Sequence, residues 1–166
     1  MKHSRTGYNG FFPLLLNHLV QPYKAPISVL VVIHTPDLQV LLLERADHPG
    51  YWQSVTGSCE PGEVPRDTAI REVHEETGLD AEQFKLADWQ LQFEFEIFAE
   101  WQHRYAPGVT TNVEHVFGLE LPSALAVRLA PREHLNSLWL PRDEAAKKVF
   151  SWSNAAALEK LDHRSR

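Results

Sequence analysis

The first strongly patterned stretch, Ile27-Ser28-Val29-Leu30-Val31-Val32-Ile33, is β-branched and almost wholly apolar. Such a run has no polar face to turn toward water, so it reads as a central strand covered on both sides. Thr35-Pro36-Asp37 is turn chemistry, and Gln39 to Glu44 returns as a hairpin partner. A polar loop from Arg45 to Gly50 leads to a short strand, Trp52 to Val55, and Gly57 to Gly62 reads as a second loop. A helix follows. Pro65 suits its first turn, where a missing N–H costs nothing, and Asp67 complements the positive end of the helix dipole. Ala69, Ile70 and Val73 make its apolar stripe, and Gly78 ends it as a left-handed cap. Phe93 to Phe98 alternates as a strand does, and Val113 to Leu121 and Leu138 to Leu140 read as two more. Pro141 to Val149 and Asn154 to Leu161 read as C-terminal helices. Strands in hairpins with few crossover helices predict an α+β domain, a mixed sheet flanked by helices, rather than a doubly wound sheet.

Composition narrows the function. The 166 residues suit one domain, and 43% hydrophobic content is enough for a core. A net charge of -6 and a pI near 5.8 argue against nucleic acid as the partner. Cys59 is the single cysteine, so no internal disulfide forms, which fits a reducing cytoplasm. No segment is long and apolar enough for a membrane span. The apolar stretch Phe11 to Val20 is interrupted by Pro13, Asn17 and His18, and no small-residue cleavage site follows it. Residues 1–23 are therefore read as an N-terminal extension and residues 24–166 as the domain. Oligomeric state is not legible.

The informative segment is Gly57 to Leu79. On its helical part Glu72 and Glu76 are four apart, and Glu72 and Glu75 three apart, so all share one face. Like charges so placed repel unless a hard cation sits between them, and carboxylate oxygens are what Mg²⁺ prefers. The same three residues also suit a solvated acidic face. The wider spacing decides between these readings: Gly57, five residues, Glu63, seven residues, then Arg71-Glu72-Val73-His74-Glu75-Glu76-Thr77-Gly78-Leu79. This resembles the complete Nudix box at every fixed position. The resemblance implies an α/β/α sandwich with a loop–helix–loop metal site, and hydrolysis of a nucleoside diphosphate linked to another group. It implies Mg²⁺, with Mn²⁺ as a substitute, held by Glu72 and Glu76 with Glu75 beside them. It makes Arg71 an orienting arginine and Glu63 the upstream glutamate that steadies the loop; pure scaffolding suits both equally. Gly57 lets the backbone approach metal or phosphate, and the Thr56 carbonyl is a further donor.

Segments outside the box resemble one branch of that family, the enzymes that hydrolyse dihydroneopterin triphosphate in bacterial folate synthesis. They are Ile27 to Ile33, Trp52 to Ser58, Phe93 to Phe98, His103 to Thr110 and Ser151-Trp152-Ser153-Asn154. This resemblance implies Glu133 as a metal ligand from outside the box, with Glu114 and Glu120 as competing choices. It also implies substrate contacts from Lys24, Arg45, Thr56, Phe95, Glu96, Ile97, Phe98 and Ser151. Lys24 and Arg45 suit phosphates in an otherwise acidic protein, and also suit ordinary surface cations. On an alternating strand Glu94, Glu96 and Phe98 share one face and Phe93, Phe95 and Ile97 the other. The first face would offer a carboxylate to a pterin's ring N–H and amine, with Phe98 stacked on the ring.

The expected reaction is attack of water on phosphorus with pyrophosphate leaving, using Glu72 or Glu133 as base. The partner is a small-molecule triphosphate, not nucleic acid or membrane. Two rivals stand: a broad (d)NTP pyrophosphohydrolase and a Nudix-fold module that binds without hydrolysing. The histidines have no HxxxH spacing for zinc, and Cys59 has no base to activate it.

Overall fold

Apolar on both faces, β1 (Ile27–His34) lies in the interior of a seven-stranded sheet. Its alternate side chains enter two separate cores: Val29, Val31 and Ile33 point one way, Leu30 and Val32 the other. The turn at Leu38, whose φ is 60°, returns the chain as β2 (Gln39–Arg45), antiparallel to β1. β2 divides its residues in the same manner, Leu41 and Leu43 against Val40 and Leu42. Burying each of these side chains on both faces contributes roughly 1.5–3 kcal/mol.

The structure, a computed structural model, describes residues 23–161. The extension expected over residues 1–23 thus lies, apart from Tyr23, outside the described residues. The stretch expected as one strand from Trp52 to Val55 is two, β3 (Trp52–Gln53) and β4 (Val55–Ser58). Ser54 separates them because its amide hydrogen is given to Asn154 Oδ1 at 2.8 Å instead of to a neighbouring strand. Gly57 lies inside β4, not in the loop expected from Gly57 to Gly62. The box helix, α1 (Pro65–Thr77), has Pro65 in its first turn and ends at Gly78, with φ of 73°, as its sequence predicts.

The strand expected over Phe93–Phe98 is longer and ends sooner: β5 runs Lys85–Glu96. An irregularity between Asp88 and Leu91, with Gln90 at φ 52°, breaks the alternation that would have revealed its first half. β6 (Thr111–Glu120) pairs with β1 in parallel, from Ile27 opposite Val113 to His34 opposite Glu120. Every other strand pairing among the described residues is antiparallel, so the sheet is mixed. β7 (His134–Pro141) adds to β2. The last elements are α2 (Arg142–Lys148) and α3 (Trp152–Glu159), the latter capped by Ser151.

Helix α1 covers one sheet face through Ala69 and Val73, and α2 and α3 cover the other through Ala145, Ala157 and Leu158. The result is the α/β/α sandwich that the box implies. No helix among the described residues is long and apolar enough to cross a membrane.

Candidate active site

Strand β4 and helix α1 meet at Gly57. A β-carbon there would overlap the carboxyl of Glu72, so the glycine makes room for that box side chain. Arg71 then fixes that carboxyl. Its Nη1 donates to Glu72 Oε1 at 2.7 Å and to Glu75 Oε2 at 3.3 Å, while Nε and Nη2 hold both oxygens of Glu63 at 2.9 and 2.8 Å. Nη2 also donates to the Ser58 carbonyl at 3.1 Å, tying helix to strand. Glu63 accepts further hydrogen bonds from the Glu60 N–H and the Thr68 hydroxyl, and the Arg71 guanidinium holds its carboxyl down at about 2. A carboxylate so engaged is a brace. Glu72 is different: burial, then the charge of Glu76, pushes its carboxyl up to about 7.

The acidic end lies one turn further along α1. Glu76 is 3% exposed, and its Oε2 makes no hydrogen bond. Ligating atoms of Glu76, Glu133 and His134 all fall within 4.8 Å of one another, and His134 Nε2 lies 3.2 Å from Glu76 Oε2. Burial raises the Glu76 carboxyl, with the His134 ring opposing the shift. An orphaned buried carboxylate oxygen beside two further carboxylates is costly by itself and suited to a hard divalent cation. Glu76 and Glu133, grouped with His134, therefore fit the divalent metal that the box implies, while Glu72 of the expected set lies outside that group. Glu75 is half exposed beside them. Glu120, offered as an alternative to Glu133, instead lies opposite Lys85 at 3.8 Å, away from this cluster. Glu114 is taken up below.

These carboxylates border a cavity of about 850 Å³. Lys24, Arg45, Thr56, Phe95, Glu96, Ile97, Phe98 and Ser151 all line it, so the structure brings every expected contact to one place. Several are already committed. Arg45 holds Asp47 at 2.7 and 2.8 Å and the Gln53 amide oxygen at 3.0 Å, and its guanidinium lies 4.9 Å over the Trp101 ring. Gln53 passes the connection to the Thr56 hydroxyl at 3.1 Å. The Ser151 hydroxyl accepts the Asn154 N–H at 3.3 Å as the cap of α3. Withdrawal of its ammonium from water, then the neighbouring Arg104, lower the pKa of Lys24, with Glu72 and Glu133 opposing.

The strand face assigned to ring recognition requires correction. Phe95 pairs across the sheet with Asn112, and Phe93 with Glu114, so the phenylalanine side of β5 faces the cavity and the second core. Glu94 and Glu96 lie on the opposite, exposed side, with Glu96 only at the rim. Ile97 and Phe98 fall beyond the strand, where Phe98 packs edge-on against Trp101 at 5.1 Å.

Among the lining residues, Asn112 and His134 go unmarked in the sequence reading, Arg104 lies inside a quoted segment without a role of its own, and Glu114 is weighed there only as a metal ligand. Asn112 and Glu114 sit at the start of an apolar strand, and only the sheet register turns them into a cavity floor. Cys59 is buried and accepts the Thr68 hydroxyl at 3.2 Å, as a spectator thiol would.

Comparison with known proteins agrees with this geometry. The NUDIX domain model matches residues 24–161. A dihydroneopterin triphosphate diphosphatase of Escherichia coli (strain K12) is 50% identical over 142 residues, covering 84% of this chain and 93% of that protein. Its namesake from Haemophilus influenzae is 42% identical over 145 residues, covering 86% and 90%. The solved structure of the E. coli dihydroneopterin triphosphate pyrophosphohydrolase superposes with a TM-score of 0.79 at 48% identity, covering 86% of this chain and 98% of that one. A glycine that yields to a glutamate, an arginine clasp and an acidic helix face are thus set in a fold shared along nearly the whole length of these relatives, and the chain belongs to the Nudix family of hydrolases acting on phosphoric anhydrides.

Proposed function

We propose that this chain hydrolyses dihydroneopterin triphosphate to dihydroneopterin monophosphate and pyrophosphate, with Mg²⁺ as its cation and Mn²⁺ as a substitute. The observation that carries the reading is 50% identity along 142 residues to a protein of that name. The cavity supports it, because cations, acids and aromatic rings line one space of about 850 Å³, enough for a flat ring with a phosphate tail.

Glu72, Glu76 and Glu133 would hold the cation, with Glu75 at its edge. Bound there, it would neutralise phosphate charge and acidify water. Arg71 and Glu63 act as positioning residues, since each is used up in fixing Glu72 and the box loop. Lys24 and Arg45, joined by Arg104, face the phosphates. Water oxygen bonds to the α-phosphorus, the bond from that phosphorus to the bridging oxygen breaks, and pyrophosphate leaves with the electron pair. The water's proton passes to Glu72 or Glu133, and Glu→Gln variants at each position separate the two.

The test is a side-by-side kcat/KM measurement on dihydroneopterin triphosphate and the common (d)NTPs, with and without Mg²⁺. The pterin substrate is expected to exceed the best nucleotide at least tenfold, with turnover lost when the metal is removed. A nucleotide that matched it would make the chain a general (d)NTP pyrophosphohydrolase. Binding with no turnover in either condition would make it a binding module.

A further inference from the structure

The floor of the cavity contains two buried hydrogen-bond acceptors that nothing satisfies. Asn112 is 2% exposed and Glu114 is 6% exposed, and they stand two apart on β6, so both point to the same sheet face. The Asn112 amide nitrogen donates to the Ser28 hydroxyl at 2.7 Å, which leaves Oδ1 as the acceptor without a use. Among the described residues neither that buried oxygen nor Glu114 Oε1 has a hydrogen-bond partner. Buried acceptors left in this state cost stability unless a ligand brings donors to them.

The position separates this pair from the metal end. Glu114 lies opposite Ser28 on β1, and Ser28 lies opposite Ser58 on β4, beside the Gly57 that accommodates Glu72. Glu114 therefore lies two strands from Gly57, a spacing of roughly 10 Å, and on the opposite sheet face, since Val116 on its face enters the second core while Val29, opposite Gly57, enters the first. Consistently, burial raises the Glu114 carboxyl to about 7 against the opposing hydrogen bond of Ser153, with no contribution from the box acids. A lone carboxylate without acidic neighbours is a poor divalent-cation site but a good acceptor for N–H donors. The walls are flat. Phe95 stands on the strand next to Asn112, and Phe93, next to Glu114, packs edge-on with Trp152 at 5.4 Å. Trp152 itself is 58% exposed.

We infer that Glu114, with Asn112 beside it, is the specificity-determining site for the substrate's ring, and that it takes a planar heterocycle presenting a ring N–H next to an exocyclic amine. This rests on the proposed triphosphate substrate and adds which residues read its ring. The carboxylate accepts the two adjacent donors, Asn112 Oδ1 accepts a third contact along the same edge, and the phosphate tail runs through the shared cavity to the box carboxylates.

The test compares kcat/KM on dihydroneopterin triphosphate and on ATP, whose adenine has an amine but no ring N–H beside it, in wild type and Glu114→Gln. The ratio of the two is expected to fall at least tenfold in the variant, through KM more than kcat. An unchanged ratio, or equal losses on both substrates, overturns the inference. GTP carries the same donor edge as the pterin and keeps the two claims apart. A wild type that prefers GTP would overturn the proposed substrate, and the inference is then decided by the GTP-to-ATP ratio in the variant. Should Glu114→Gln not fold, wild type with EDTA decides by tryptophan fluorescence: neopterin, a phosphate-free pterin, is expected to bind at least tenfold more tightly than adenosine, and equal binding overturns the site.

Discussion

At Gly57 the absence of a side chain matters because Glu72 fills the space a β-carbon would take. Gly57→Ala is therefore expected to destabilise the fold by about 1–3 kcal/mol and to displace Glu72, lowering turnover as well. Thermal melting and steady-state rates check this together; a variant normal in both would mean that Glu72 does not depend on the gap. Glu76 is the second informative residue. With Gln in its place a buried charge disappears, so metal-free stability should hold or rise. Turnover at limiting Mg²⁺ should fall about 100-fold, a barrier increase of about 2.7 kcal/mol. Near-wild-type activity there would remove Glu76 from the metal site. The box residues were readable because the whole spacing from Gly57 to Leu79 resembles the Nudix box, where helix spacing by itself also suited a solvated acidic face. Asn112 and His134 were not, and Glu114 was weighed only as a metal ligand, because a strand residue's role depends on which sheet face meets a cavity, and that is set by β5, β6 and α3 packing together.

Among the elements, α3 packs on the sheet through Ala157 and Leu158 and is tied to it by the side-chain hydrogen bonds of Asn154. Asn154 accepts the Ser54 N–H at 2.8 Å and donates to the Ser54 hydroxyl at 2.9 Å, both fully buried. Asn154→Ala leaves those groups unpaired, at a cost of roughly 1–3 kcal/mol. It also loosens Ser151 and Trp152 at the cavity wall, so KM is expected to rise more than kcat falls. A melting temperature equal to wild type would contradict the anchoring role. The same segment shows how far sequence reaches at this scale. Ser151 to Asn154 stands out as a motif, yet the helix begins at Trp152 rather than at Asn154, because the Ser151 hydroxyl caps it. β1, β2, α1 and β6 are legible because their apolar pattern or their caps are continuous. β5 is half hidden by its irregularity at Asp88–Leu91, and β7 begins at His134, ahead of the apolar Leu138–Leu140, because buried His134 pairs with Arg45 while exposed Leu135 and Asn136 fall at a register shift.

For the whole molecule, the site's carboxyls set a pH dependence. Burial raises Glu72 and Glu114 from an ordinary 4.5 to about 7, and raises Glu76 as well. Such groups bind protons more tightly folded than unfolded, so their contribution is fully present below about 4.5 and is lost as pH rises through about 7. Glu63 and Asp47, held near 2 by Arg71 and Arg45, act oppositely, and their contribution is lost as pH falls toward 2. The metal-free protein is expected to melt several degrees lower at pH 8 than at pH 5.5, with Mg²⁺ recovering part of the difference because it favours ionised Glu72 and Glu76. A metal-free melting temperature that rose over this range would contradict the burial of these carboxyls. One cavity joins the box carboxylates to aromatic side chains, and on the proposed function a ring held among the aromatics would decide which phosphorus meets water at the acidic end. That account is tested most directly by ³¹P NMR of the dihydroneopterin triphosphate reaction in H₂¹⁸O with Mg²⁺ and no added pyrophosphatase. Pyrophosphate and the monophosphate ester should grow together, with ¹⁸O in the ester; orthophosphate appearing first beside a diphosphate ester would contradict it.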